Sequence, residues 1–250
     1  MIRGLYTSAL GMITSQQRMD VITNNMANVN TTGYKRDHVV SHAFSDVFIA
    51  RINDPGIRMF ERFPVGHVNP GVFVDDVFTQ FTQGPMQQTG NALDVALAGQ
   101  GFFVVNVNGE ELFTRDGNFT IFNGMIMTSD GGRVQGQNGD ITLPNGYIVI
   151  DEYGNIFVND EQVDTLRITN FTDLHTLRKL HDNYFRVTEH SVMEAFTGAV
   201  HQGFLENSNV NIVQEMVEMI TLSRAFETNS RMVMIQDNTL QHAVNDIARR

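Results

Sequence analysis

From Leu205 onward the chain places an apolar residue at every seventh position without exception: Leu205, Ile212, Met219, Phe226, Val233, Leu240 and Ile247. No Gly or Pro follows Gly203. An unbroken seven-residue interval is the mark of a helix that keeps one seam against a partner over its whole length. Asn211 followed by Gln214 can form a capping box, which predicts a helix over about 211–248, roughly 55 Å long at 1.5 Å per residue. The second seam position is mixed: Met216 and Val244 are apolar, whereas Ser223, Ser230 and Asp237 are not. A self-sufficient two-stranded zipper wants apolar residues there. Several neighbours packed through small and polar contacts fit the pattern better.

The same interval occurs at the N-terminus, in Leu5, Met12, Met19 and Met26, with Ile22 and Val29 flanking that side. It stops in the polar stretch Asn28 to Gly33. Asn and Thr compete there for backbone hydrogen bonds, and Gly33 can take the left-handed conformation that closes a helix. Between the termini the period changes. Asn108-Gly109, Asp116-Gly117, Asn123-Gly124, Asp130-Gly131, Asn138-Gly139 and Asn145-Gly146 recur every seven or eight residues between short apolar runs, as the turns of antiparallel hairpins do. The expected fold is α+β, with N- and C-terminal coiled-coil-like helices paired beside a central antiparallel β-rich domain. Its divisions are an N-terminal helix (1–35), an extended arm or linker (36–90), a β-rich domain (91–204) and a C-terminal helix (205–250).

With 42% hydrophobic residues, 250 positions suffice for a substantial core. A formal charge of −11 and the absence of any basic run argue against nucleic acid. There is no cysteine, which removes disulfides, thiolate catalysis and Cys-based metal sites. The N-terminus lacks the apolar run of a cleaved signal, and no window of about 18 residues is apolar enough to insert in a membrane. His38 and His42 have the spacing of a helical metal pair, but they follow the helix stop and lack a third ligand. Asp75-Asp76 and Glu110-Glu111 are neighbours that a strand would point to opposite faces. Gly99-Gln100-Gly101 precedes a strand and reads as a tight turn. No cofactor, metal or catalytic constellation emerges. The methionines at 12, 19, 26, 216 and 219 read as helix packing.

Four stretches resemble the bacterial flagellar rod and hook family. "ANVNTTGYK" at 27–35, with Ala27, Asn28, Thr32, Gly33, Tyr34 and Lys35, is similar to its N-terminal signature. "LENSNVNIVQEMVEMITLSRAFETNSRM" from Leu205 to Met232, with Ser208, Asn209, Val210 and Asn211, is similar to its C-terminal one. "NALDVALAGQGFFVV" and "FTRDGNF" resemble the β domain of its rod members. The resemblance implies a structural subunit that is exported unfolded by the flagellar type III apparatus without a cleaved signal. It further implies helical polymerisation through the terminal helices, which surround an export channel, and contact with adjacent rod and hook subunits in a basal body crossing the periplasm or cell wall. It implies too that Phe44 and Phe48, in Phe44-Ser-Asp-Val-Phe48, are read by the export gate. The length and "MIRGLYTSALGM" lean toward a proximal rather than a distal rod subunit, and the stretch 46–70 departs most from the family. A hook-type axial subunit and a secreted β-rich binding module are the alternatives; the second leaves the terminal heptads unexplained.

Overall fold

The computed structural model describes residues 2–51, 63–180, 183–188 and 191–248. The chain divides into two compact units, one made of residues 1–24, 38–78 and 213–250, the other of 25–37 and 79–212.

The first unit holds all but the last residues of the long helix α1 (Ile2–Ala27) and all but the first of α2 (Ile212–Ala248). Helix α1 ends where the polar stretch begins, with residues 28–33 in turns and Gly33 at φ +67°. Helix α2 starts directly after Asn211, close to the 211–248 that the capping pattern predicts, whereas the division 205–250 begins seven residues before the helix. Leu205 lies on the strand Phe204–Glu206, paired with Met86–Gln88, and is no part of the helical stripe. Ladder hydrogen bonds to another strand claimed that segment before the helix could begin.

The stretch 36–90, expected as an extended arm, is largely strand. Asp37–Ala43 pairs with Val72–Thr79, and Val47–Arg51 pairs with Phe63–Val68 with a register shift between Ile49 and Ala50. Residues 52–62, the middle of the 46–70 departure, lie outside the described residues.

The second unit is antiparallel β, as the turn dipeptides predict. A ten-stranded sheet runs through Glu110–Thr114, Phe102–Val107, Arg133–Gly136, Met125–Thr128 and Phe119–Phe122, beside a three-stranded sheet of Ile148–Ile150, Asn155–Val158 and Glu161–Thr165. Asn108-Gly109 and Asn123-Gly124 have positive φ at both residues, the type I′ geometry that matches strand twist. Asp116-Gly117 is different: it joins strands that do not pair with each other, and a Cβ on Gly117 would meet the Val95 carbonyl oxygen. Asn159-Asp160, without glycine, makes the left-handed turn that no dipeptide signal announced. The core gathers Val95, Leu97, Phe103, Ile126, Ile141 and Ile156 in one cluster, and Phe102, Phe113, Phe171 and Phe185 in another.

Candidate assembly site

Three contacts set α1 and α2 side by side and antiparallel. Gly4 faces Gln236, Gly11 faces Asn229, and Arg18 Nη2 reaches Glu218 Oε1 at 2.9 Å. A Cβ on Gly11 would lie 2.7 Å from Asn229 Nδ2, so the bare backbone of α1 is what admits the amide. On α1 Ser8, Ser15 and Ile22 are buried one heptad apart, with Asn25 buried near the end of the helix, while Leu5, Met12, Met19 and Met26 are half-buried beside them. On α2 Glu215 and Leu222 are buried, and Asn229 and Gln236 continue their line. Met219, Phe226, Val233 and Leu240 are half-buried along its edge, Ile212 is exposed, and the side chain of Ile247 lies outside the described residues. The line of Met216, Ser223, Ser230, Asp237 and Val244, expected as the second seam, is displaced by one residue and is mostly exposed. Small and amide side chains allow closer approach of two backbones than methionine does, which is why they take the innermost line.

Large apolar residues are left facing solvent on both helices. Val213, Val217 and Ile220 fall on one face of α2 at i, i+4 and i+7, with exposures of 67%, 59% and 54%. Met234, Ile235 and Val244 are exposed further along, and Tyr6 and Ile13 on α1. A soluble helix with no further partner would carry polar residues there.

The signature residues of the two termini meet in the second unit. Gly33 N–H donates to the Glu206 carbonyl at 2.8 Å, and a Cβ on Gly33 would sit 2.4 Å from Asp116 N and 2.6 Å from Arg115 C. Both the positive φ and this backbone approach demand glycine. Lys35 Nζ lies 2.6 Å from Glu206 Oε1 and donates to the Thr82 carbonyl at 2.9 Å. Arg115 Nε lies 2.6 Å from Glu206 Oε2, and its Nη atoms donate to the carbonyls of Gly101, Leu97 and Gly99. All three charged side chains are at most 4% exposed. Burial acts to raise the Glu206 carboxyl, but the Arg115 guanidinium and the Lys35 ammonium outweigh it and hold it below its ordinary value. Burial lowers the Lys35 ammonium, with Glu206 acting in the other direction.

Around this pair the remaining signature side chains close off backbone groups. Tyr34 OH donates to Asn25 Oδ1, which also accepts from Asp37 N–H. Thr31 Oγ1 donates to Asn28 Oδ1 at 3.2 Å. Thr32 Oγ1 donates to Asp116 Oδ1 at 2.6 Å; burial raises the Asp116 carboxyl, against the pull of that hydrogen bond. Asn209 accepts from Arg36 N–H and donates to the carbonyls of Gln80 and Thr82. Ser208 Oγ accepts from Val210 N–H, and Val210 is buried. Lys179 stands 3.7 Å over the Tyr34 ring and 2.9 Å from Asp37 Oδ2. Ala27 and Asn211 are exposed at the inner ends of the helices.

Reading residue by residue therefore missed Glu206, Arg115, Asp116, Lys179 and Asn25. Glu206 stands within "LENSNVN" and Arg115-Asp116 within "FTRDGNF", stretches in which no local pattern signals that the charges pair. Phe44 and Phe48 are not brought into this site. Phe44 is 4.7 Å from the Phe73 ring and Phe48 is edge-on to His67, both partly exposed. His42 lies 3.6 Å from Asp75. Among the described residues no group of three or more His, Cys, Asp or Glu is placed to hold a metal, and no helix is long and apolar enough to cross a membrane.

Three family models match consecutive parts of this chain: "Flagella basal body rod protein" over 5–35, "Flagellar hook protein FlgE/F/G D1 domain" over 96–158 and "Flagellar basal body rod FlgEFG protein C-terminal" over 201–246. The flagellar basal-body rod protein FlgG of Borreliella burgdorferi is 34% identical over 98% of this chain and 98% of its own length. FlgF of Caulobacter vibrioides is 34% identical over 96% and 95%, and FlgG of Bacillus subtilis 32% identical over 98% and 99%.

Proposed function

This chain belongs to the flagellar basal-body rod family and is a structural subunit of the rod, and from that premise we propose that it polymerises helically through α1 and α2 into a hollow shaft. The observation that carries this reading is the apolar face of α2 at Val213, Val217 and Ile220, left exposed while Glu215 and Leu222 on the opposite side of the helix are buried. Burial of such side chains contributes about 1.5–3 kcal/mol each, enough for a few of them to drive association. Copies that present one surface to a different surface on the next grow as a helix rather than close into a ring. The seven-residue stripes would then wind the helices as coiled coils against more than one neighbour.

The same premise makes the finer partners proposals: adjacent rod and hook subunits at either end, and the type III export apparatus as the route out. The export gate would read Phe44 and Phe48, whose partial exposure leaves them reachable. A non-catalytic role fits a chain whose buried Glu206 is engaged by Lys35 and Arg115 in a structural ion pair.

Polymerisation of the purified chain, followed by sedimentation against concentration, tests the proposal. Val217→Glu with Ile220→Glu should leave circular dichroism unchanged and keep the chain monomeric. Assembly of that variant at the wild-type concentration would refute the role of α2.

A further inference from the structure

Beside the buried charges of the second unit lies a cleft of about 250 Å³, lined by Lys35, Arg115, Phe81, Gln83, Phe102 and Leu174 among others. Its charges are out of balance. Lys35 and Arg115 are both cationic, and Glu206 is the carboxylate that each of them touches. Asp116, next in sequence to Arg115, accepts from Thr32 instead, and Asp37 is matched with Lys179. Two cations against one anion leave an excess positive charge in a place that water barely reaches, where an unmatched charge is costly.

Donors are in excess as well. An ammonium has three protons, and Lys35 directs two of them, to Glu206 and to the Thr82 carbonyl. A guanidinium has five, and Arg115 directs four, to Glu206, Gly101, Leu97 and Gly99. One proton on each cation has no acceptor among the described residues. Phe81, Phe102 and Leu174, which also line the cleft, are apolar. The volume is below the range of about 300–1,000 Å³ that drug-sized ligands occupy, so the occupant is small.

We propose that this cleft binds a carboxylate on a short apolar stem, its charge meeting Lys35 and Arg115 and its stem lying against Phe81, Phe102 and Leu174. The same chemistry has two sources: a free carboxylate, or an acidic side chain of an adjoining copy, of which a chain of net charge −11 has many. The site does not depend on the assembly reading, because it is complete within one chain.

The test uses the full chain, kept monomeric by dilution, with sodium butyrate as the probe and butylammonium chloride as a control of the same stem and opposite charge. Saturation-transfer NMR should show transfer to the butyrate methyl and none to butylammonium, with an affinity in the millimolar range. Leu174→Glu sets a tethered carboxylate in the lining without replacing either charged residue, and should abolish the signal. Arg115→Gln removes the excess charge and should weaken binding at least roughly tenfold. If circular dichroism shows that Arg115→Gln does not fold, Leu174→Glu carries the test, and Phe81→Ala, which removes the stem's wall, stands in should that variant fail too. No transfer at about 50 mM butyrate, or transfer that survives every folded variant, overturns the site. Once binding is seen, the source is read from growth of the polymer. Butyrate that slows growth identifies an acidic side chain of the adjoining copy as the occupant, and butyrate that binds with growth unchanged identifies a free carboxylate.

Discussion

Lys35 Nζ and Glu206 Oε1 lie 2.6 Å apart although 171 residues separate them in the chain, and Arg115 takes the other oxygen of the same carboxylate. One carboxylate thus ties the segment that leaves α1, the segment that enters α2 and the β sheet. Removing its charge strands two buried cations. Glu206→Gln should destabilise by about 3–5 kcal/mol, the cost of breaking a buried ion pair by deleting one partner. Urea unfolding of the monomer checks this, and a loss below about 1 kcal/mol would show the pair to be ornamental. The pH dependence has a sign. The folded state lowers the Glu206 pKa, so the stabilisation is present above the ordinary glutamate value of 4.5 and is lost as pH falls through the lower folded value. The deficit of the variant should therefore shrink in acid.

Asp116 should behave in the opposite way. Burial raises its carboxyl above the ordinary 3.8, so the ionised form is disfavoured by folding and its contribution is favourable only in acid. Asp116→Asn keeps an oxygen to accept from Thr32 Oγ1 and Asn118 N–H while removing the charge. The variant should melt at a higher temperature than wild type near neutral pH, with the gain vanishing below about pH 3.8. A lower melting temperature at pH 7 would mean the carboxylate is needed ionised.

Gly11 admits Asn229 into the groove of α1. Alanine there meets the mobile end of an amide that can swing aside, and it gains helix propensity of about 1 kcal/mol, so Gly11→Ala should be near neutral. Gly11→Leu has no such escape and should force the helices apart. Polymer yield is the readout: Gly11→Leu should lose assembly with helix content retained, and equal yields from both variants would show that close approach of the backbones is unimportant.

Phe44 and Phe48 contribute little to either buried cluster, so replacing both with Ala should leave the melting temperature within a few degrees. Secretion should fall severalfold if the export gate reads them. Unchanged secretion alongside unchanged stability removes that assignment and leaves the two rings as packing for Phe73 and His67.

Much of the fold could be read locally. The helix stop at Asn28 to Gly33 and the type I′ turns at Asn108-Gly109 and Asn123-Gly124 depend on the conformational preferences of the residues themselves, which act within a few positions. The seven-residue interval likewise announces a long helix with a seam. Which line of that helix is innermost was not legible. Met219 and its repeats gave way to Glu215, Leu222, Asn229 and Gln236 because Gly4, Ser8, Gly11 and Ser15 on the other helix let the backbones approach there. Leu205 kept the interval and became a strand residue for the same kind of reason, a ladder partner at Gln87 that no local pattern reveals.

The chain alone determined the kinds of element, their order and the two places where they end, since propensity, turn chemistry and period are properties of neighbouring residues. Tertiary structure decided which charges meet and which helix face is closed. Glu206 finds Lys35 and Arg115 across 171 and 91 residues, and an ion pair or a seam exists only once folding has set the distance between its two sides.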